Sequence, residues 1–120
     1  MNTATTVLVV DDDEALRMLC RVNLEIEGYS VLEAETLPAA RDLLAGEQVD
    51  VVLLDLHIGN EDGMELLREL RAASPTLPVA LFTGTADPTD IGEDADADAV
   101  IRKPFALDDL GSTVARLAAQ

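Results

Sequence analysis

The sequence predicts an α/β fold, a doubly wound three-layer sandwich in which helices cover both faces of a five-stranded parallel sheet. Five short apolar runs are spread along the 120 residues, and they lack the alternation of a sheet with one solvated face. Segments with helical periodicity fill most of the gaps between the runs, so strands and helices alternate. About two thirds of the unfolded surface can be buried at this length, which suits one domain over residues 1–120.

The five strands are expected at the apolar runs, most of which are rich in β-branched residues. They lie near Thr6 to Val10, Ser30 to Ala34, Val51 to Leu54, Val79 to Phe82 and Ala99 to Arg102. Parallel strands need crossover connections, and the helical segments between the runs supply them with a right-handed sense.

The first helix is expected from Glu14 to Glu27, with Gly28 as its C-terminal stop. Its apolar stripe at helical spacing is predicted to face the core; the stripe consists of Ala15, Met18, Leu19, Val22 and Ile26. That orientation would leave Cys20 and Leu24 on the outer side, where they could form a docking patch or simply be scattered exposed apolar residues.

Three further helices follow the same logic. Thr36 caps a second helix that has Pro38 in its first turn and ends near Gly46. Apolar residues at helical spacing predict a third helix over Met64 to Ala73 and a last helix with its stripe at Leu107, Leu110, Val114 and Leu117. Between Thr83 and Ala99 the chain is poor in helix-forming chemistry, so a fourth helix there is expected to be short or irregular.

Charge excludes several classes of function. Twenty-four acidic residues face eight basic ones, and the net charge of −16 repels nucleic acid phosphates and membrane surfaces. No stretch reaches the roughly 20 apolar residues of a membrane span, and the N-terminal residues lack the basic start of a signal peptide. We expect a cytoplasmic protein without direct nucleic acid binding, in which the lone Cys20 is an apolar filler.

Charged and hydroxyl residues follow four of the predicted strands. Asp11 and Asp12 come after the first strand, Asp55 after the third, Thr83 after the fourth, and Lys103, the only lysine, after the fifth. The carboxyl ends of parallel strands meet at one edge of the sheet, where ligands bind in such folds. The sequence therefore predicts that these residues meet in one pocket.

The residue types in this pocket suit phosphoryl transfer. Mg²⁺ takes oxygen ligands, usually from one or two carboxylates with water and phosphate, which Asp11, Asp12 and Asp55 can supply. A carboxylate such as Asp55 can attack phosphorus once the opposing negative charges are neutralised. Lys103 and Thr83 could then contact phosphoryl oxygens. Taken alone, Asp11 and Asp12 could equally be a solvated acidic cap of the first helix.

The motifs VLVVDDD, VVLLDL with Asp62-Gly63 downstream, LFTG and RKPF occur in this order, and together they resemble the receiver domain of two-component response regulators. The resemblance covers essentially the whole chain. It implies the flavodoxin-like strand order 2-1-3-4-5 of chemotaxis-type receivers. It also implies a cis peptide bond between Lys103 and Pro104.

The resemblance also assigns roles to the pocket residues. It implies that Asp11, Asp12, Asp55 and the backbone carbonyl of His57 bind Mg²⁺. It implies that Asp55 accepts phosphate from a sensor histidine kinase or a histidine phosphotransfer protein and then loses it slowly. Thr83 and Lys103 would contact the phosphoryl group, and the phosphorylated domain would act on a downstream effector protein.

Three features depart from the family pattern. Val100 stands where receivers usually have Tyr or Phe, Gly59 stands where they usually have Pro, and the fourth helix is irregular. We therefore expect phosphorylation to act by ordering or shifting the segment from Thr85 to Asp98. The altered face would lie around the fourth helix and the fifth strand.

Two alternatives remain open at this point. The first is a receiver-like scaffold that binds partners without phosphorylation, which Val100 and the irregular fourth helix favour. The second is a phosphatase with an aspartyl-phosphate intermediate, as in haloacid-dehalogenase-like enzymes. Those enzymes need a second Asp two residues after the nucleophile, and His57 stands there.

Overall fold

The structure, a computed structural model, describes residues 4–84 and 97–119. In chain order, the helices and strands of these ranges are β1 (Thr6–Val10), α1 (Glu14–Ile26), β2 (Ser30–Ala34), α2 (Leu37–Gly46), β3 (Val51–Asp55), β4 (His57–Ile58), β5 (Glu61–Asp62), α3 (Gly63–Ala73), β6 (Val79–Thr83), β7 (Ala99–Arg102) and α4 (Leu107–Ala118). The five predicted strands and the four helices predicted within these ranges are all present, with ends within two residues of those expected.

The main sheet is parallel and has the order β2-β1-β3-β6-β7. Counted along the chain as the five strands of this sheet, the order is 2-1-3-4-5, as predicted. The pairing aligns the strand ends: Val10 lies opposite Leu54, and Asp55 lies opposite Phe82. Thr83 in turn pairs with Arg102, so the residues that follow these strands emerge at one edge.

Both faces of the sheet are covered, which explains the continuous apolar runs. Successive side chains of a strand point to opposite faces. In β1, Leu8 and Val10 pack with α2 and α3, whereas Val7 and Val9 pack with α1 and α4. All five residues of β3 and of β6 are buried. The three-layer sandwich predicted from the sequence is therefore confirmed.

The predicted orientation of α1 is wrong. Cys20 and Leu24 are fully buried against the sheet, so they cannot form a docking patch. The stripe that was expected to face the core is exposed instead; the exposed fractions are 53% for Met18, 43% for Leu19, 45% for Val22 and 78% for Ile26, and Ala15 is exposed as well. Both faces of this helix carry apolar residues, so helical periodicity alone could not tell which one packs on the sheet.

The other helices pack as expected. Leu66, Leu67 and Leu70 of α3 are buried, as are Leu110, Val114 and Leu117 of α4; Leu107, at the start of α4, is 40% exposed. Thr36 accepts a hydrogen bond from the amide of Ala39 as the N-cap of α2, as predicted. Asp13 and Asp62 cap α1 and α3 in the same way.

The segment from His57 to Asp62 forms the antiparallel β4-β5 hairpin, which was not among the strands predicted from the sequence. Strands of two residues are too short to leave a periodic signal in the sequence. The turn passes through Gly59, whose φ of 61° lies in the left-handed region. The hairpin places this segment next to the end of β3.

The expected irregular fourth helix, and most of the segment from Thr85 to Asp98, lie outside the described residues. Asp98 is described, and its Oδ2 accepts hydrogen bonds from Arg71 Nη2 at 2.7 Å and from the amide of Val79 at 2.8 Å. This acid therefore holds the start of β6. In the described ranges, no helix combines the length and apolar character needed to cross a membrane.

Candidate functional site

Three carboxylates meet at the edge of the sheet where β1 and β3 end. Asp11, Asp12 and Asp55 each offer one oxygen, and these oxygens lie within 4.8 Å of one another. Asp11 is fully buried and Asp55 is 6% exposed, whereas Asp12 is exposed. The sequence prediction that the strand ends bring these residues together is therefore correct in geometry.

Lys103 enters the same cluster from the end of β7. Its Nζ donates hydrogen bonds to Oδ2 of Asp11 and to Oδ2 of Asp55, both at 2.9 Å. The backbone amide of Lys103 also donates to the carbonyl of Thr83 at 2.8 Å, which extends the pairing of β6 and β7 by one residue. The peptide bond between Lys103 and Pro104 is cis, as the resemblance implied.

Charge and ligand chemistry in the cluster fit Mg²⁺. Three ionised carboxylates facing one ammonium leave two net negative charges, which a divalent cation neutralises. The donors are hard oxygens and include no side-chain nitrogen or sulfur, which is the ligand type that Mg²⁺ takes in proteins. Asp11, Asp12 and Asp55 could thus hold the ion.

Burial shifts the ionisation of the site. Burial raises the pKa of Asp11 to about 6, although the Asp13 amide and the Lys103 ammonium act in the opposite direction. Burial also acts to lower the pKa of Lys103, but its hydrogen bonds to Asp55 and Asp11 outweigh that effect and raise it. The lysine is therefore cationic. Its charge does not fully offset the burial of Asp11, so the pKa of this carboxyl remains above its ordinary value.

The backbone of Asp11 is fixed on both sides. Its amide donates to the carbonyl of Ala34 at 3.1 Å, and its own carbonyl accepts from Arg17 Nη1 at 2.7 Å. Arg17 is only 7% exposed, and its Nε pairs with Glu33 at 3.2 Å. Sequence reasoning missed this arginine, since a basic residue in an amphipathic helix normally indicates the solvated face.

The chain after β3 holds Asp55 in place. The amide of His57 donates to Oδ1 of Asp55 at 3.0 Å, while the His57 side chain is exposed. Gly63 approaches so closely that a Cβ atom there would overlap the carbonyl oxygen of Asp55. The Asp62-Gly63 motif thus has a steric reason: only glycine lets α3 start against the end of β3.

Aromatic residues line the lysine side of the site. The Lys103 ammonium lies 5.7 Å from the centre of the Phe82 ring, within the range of a cation–π contact. Phe82 stacks on Phe105 with ring centres 5.4 Å apart. Sequence reasoning did not single out Phe82, because a phenylalanine inside an apolar strand indicates only a core position. Thr83, the next residue, is buried at the end of β6.

The parallel sheet with an acidic cluster at its carboxyl edge defines a doubly wound α/β domain with a candidate cation site, and comparison with known proteins gives its family. The model of the response regulator receiver domain matches residues 7–115, and this chain belongs to that family of two-component signalling proteins.

The chain is similar to the response regulator MprA of Mycolicibacterium vanbaalenii, with 41% identity over 106 residues that cover 87% of this chain and 46% of that protein. It spans less than half the length of the curated relatives it matches.

Solved structures show the same fold. A CheY-like receiver domain protein from Methanospirillum hungatei has a TM-score of 0.89 and 28% identity, covering 98% of this chain and 95% of that one. The response regulator protein TrrA from Thermotoga maritima, in complex with Mg²⁺-BeF, has a TM-score of 0.84 and 28% identity, covering 94% and 98%.

Proposed function

We propose that this chain is the phosphoacceptor switch of a two-component phosphorelay and that Asp55 receives the phosphate. The observation that carries the proposal is the position of the Asp55 carboxylate. It belongs to a cluster of three acids and accepts a hydrogen bond from Lys103 at 2.9 Å. A nucleophilic carboxylate needs this combination of neighbours, since the negative charges on nucleophile and phosphoryl group must be offset.

The chain's own residues take part in two steps, transfer of the phosphoryl group to Asp55 and its later hydrolysis. An Asp55 oxygen attacks the phosphorus of a phosphohistidine; an O–P bond forms, the P–N bond breaks, and the imidazole nitrogen keeps the electron pair. Lys103 offsets the charge of the phosphoryl oxygens, and the Thr83 hydroxyl donates to one of them. Water later attacks the phosphorus slowly; a new O–P bond forms, the bond to the Asp55 oxygen breaks, and inorganic phosphate and the free carboxylate result.

Asp11, Asp12, Asp55 and the backbone carbonyl of His57 are the proposed Mg²⁺ ligands. The bound ion supplies positive charge next to the transferring group. Turnover in this proposal is limited to phosphorylation and dephosphorylation of the chain itself, so it is a switch and not a metabolic enzyme.

Response regulators work with a kinase and an effector. We assign the donor, a sensor histidine kinase or a histidine phosphotransfer protein, to the exposed apolar face of α1, formed by Met18, Leu19, Val22 and Ile26. This helix begins three residues after Asp11, which brings a docked donor close to the acidic cluster. Val22→Glu would then slow transfer from a phosphohistidine protein and leave transfer from acetyl phosphate unchanged.

Residues 1–120 would act as one receiver domain in the cytoplasm, passing the signal to a downstream effector protein. The net charge of −16 argues against direct binding to nucleic acid or to a membrane. The signal would leave through the face around the Thr85 to Asp98 segment and β7.

Intact mass spectrometry after incubation with acetyl phosphate tests the proposal. We expect one phosphoryl addition to the wild type in the presence of Mg²⁺ and none in the presence of a chelator. Asp55→Asn should take up none, whereas the matched control Asp62→Asn, in the same segment, should still be phosphorylated. Uptake by Asp55→Asn, or none by the wild type with Mg²⁺, contradicts the proposal.

A phosphorylation-independent scaffold is the second candidate, and Val100 favours it. This side chain lies on β7 and is 45% exposed. It replaces the Tyr or Phe that receivers usually have at this position, so no aromatic ring is there to change position on phosphorylation. Binding of a partner equally to the wild type and to Asp55→Asn would support the scaffold. A phosphatase is disfavoured, because the position two residues after Asp55 is His57 and not a second acid.

A further inference from the structure

The three carboxylates of the acidic cluster are held in different ways. Besides their bonds to Lys103, Asp11 accepts from the amide of Asp13 at 2.9 Å and Asp55 accepts from the amide of His57 at 3.0 Å, so the backbone donor of each is two positions later. Asp12 is held from far away in sequence: its Oδ2 accepts from the amide of Gly59, 47 residues later, at 3.0 Å.

The donor is built into the β4-β5 hairpin. Ile58, directly before Gly59, is 2% exposed and anchors the hairpin in the core. On the other side, Oε1 of Glu61 accepts from the amide of Leu37 at 3.3 Å, which ties the hairpin to the start of α2. The Gly59 amide therefore projects from a segment that is fixed at both sides.

The position requires a residue that tolerates a positive φ and that carries an N–H group for the contact. The φ of 61° is strained for most L-residues, and proline can neither adopt it nor donate a hydrogen bond. Apart from the two neighbouring residues, no atom of the described part of the chain lies within 4 Å of a Cβ placed there, so space among these residues is not the constraint.

We propose that the Gly59 amide is a positioning group for Asp12, and that it orients this exposed carboxylate for the cation. The inference rests on the proposed Mg²⁺ binding. A carboxylate has about four acceptor sites on two oxygens, so the contact at Oδ2 leaves other sites for a metal. A free aspartate would lose rotamer freedom when the ion binds, whereas a tethered one has lost it already.

Isothermal titration with Mg²⁺ tests the proposal. Gly59→Pro removes the donor and should weaken Mg²⁺ binding about ten- to hundredfold, the range expected for one hydrogen bond to a charged group. Gly59→Asn keeps the N–H and tolerates positive φ, so its affinity for Mg²⁺ should lie within about twofold of that of the wild type. Equal affinity of folded Gly59→Pro and wild type would overturn the proposal.

A double-mutant cycle separates this effect from general damage to the hairpin. In an Asp12→Ala background, Gly59→Pro should cost no further affinity, since the group it positions is gone. An equal loss in both backgrounds would mean that the effect does not pass through Asp12, and the proposal would fail.

A measurement without metal keeps the proposal testable if Gly59→Pro does not fold. In the metal-free protein, Asp12→Ala should move the amide proton resonance of Gly59 upfield and speed its exchange with water. An unchanged Gly59 resonance would overturn the inference without contradicting the separate proposal that Asp55 of the wild type receives the phosphate. A wild type with this hydrogen bond but without Mg²⁺ affinity would instead contradict the proposed function.

Discussion

The Nζ atom of Lys103 lies 2.9 Å from Oδ2 of Asp55, although 48 residues separate the two in sequence. The contact spans β6, which lies between the strands that carry them, and the Lys103 ammonium lies 5.7 Å from the centre of the Phe82 ring. The same ammonium also binds Asp11. One cation therefore separates two buried carboxylates, so its removal should affect both the stability of the fold and the phosphorylation of Asp55.

Removing this cation should destabilise the metal-free protein. We expect Lys103→Met to lower the free energy of unfolding by about 1–3 kcal/mol, because Asp11 and Asp55 are left buried without their common donor. Excess Mg²⁺ should recover most of this loss, since it replaces the missing positive charge. Urea denaturation with and without Mg²⁺ measures both effects.

The same variant should accept phosphate about a hundredfold more slowly from acetyl phosphate, as for other lost charge-stabilising donors. The neighbouring Arg102 is exposed, and Arg102→Met is the matched control that should retain both stability and phosphorylation. Equal phosphorylation rates of Lys103→Met and wild type would contradict the assigned role.

Two glycines should respond in opposite ways to alanine. Gly63→Ala forces a Cβ onto the Asp55 carbonyl, and we expect a loss of about 1–3 kcal/mol of unfolding free energy, as for other overpacked sites. At Gly46 a Cβ meets no atom of the described residues within 4 Å outside its own helix turn, so Gly46→Ala should change stability by less than about 1 kcal/mol, in the stabilising direction. Thermal and urea melts of the two variants compare them directly; similar effects would refute the close approach of α3 to β3.

Truncating a side chain should lower the free energy of unfolding far more on the inner face of α1 than on its outer face. Leu24 is fully buried, so Leu24→Ala should cost about 2–5 kcal/mol through lost burial and a residual cavity. Ile26 is 78% exposed, and Ile26→Ala should stay within about 0.5 kcal/mol of the wild type. Urea denaturation distinguishes this from the orientation expected from the sequence, which would give the reverse order.

The thiol of Cys20 should be inert in the folded protein. Burial, together with the nearby charge of Asp11, raises the pKa of Cys20 from 9.0 to about 12. The folded state thus favours the protonated thiol; its contribution to stability is complete below the unfolded pKa and is lost as the pH rises from about 9 towards about 12.

Reaction with a disulfide reagent at neutral pH should therefore be limited by unfolding, and immediate in denaturing urea. A Cys20→Ala variant, which should give no signal, is the control. The stability advantage of the wild type over this variant should shrink at alkaline pH. Fast labelling of the native wild type would show that α1 does not bury this residue.

Much of the fold could be predicted from the sequence. The apolar runs located all five strands of the parallel sheet, because strands buried on both faces need apolar residues throughout. The order of the strands followed from the resemblance to receivers and not from the residues. The β4-β5 hairpin was missed, since two-residue strands held by the Gly59 turn have no periodic pattern to detect.

The order of residues along the chain was enough to predict that Asp11, Asp12, Asp55 and Lys103 lie together, because each stands at or after the end of a strand and the carboxyl ends of parallel strands share one edge. How these side chains are held depends on contacts that form only in the folded chain. Arg17 supports the Asp11 backbone and the Gly59 amide binds Asp12, and both contacts join segments that local pattern cannot relate. Tertiary structure also decided that α1 buries Cys20 and Leu24, because with apolar residues on both faces only packing against the sheet selects the inner one.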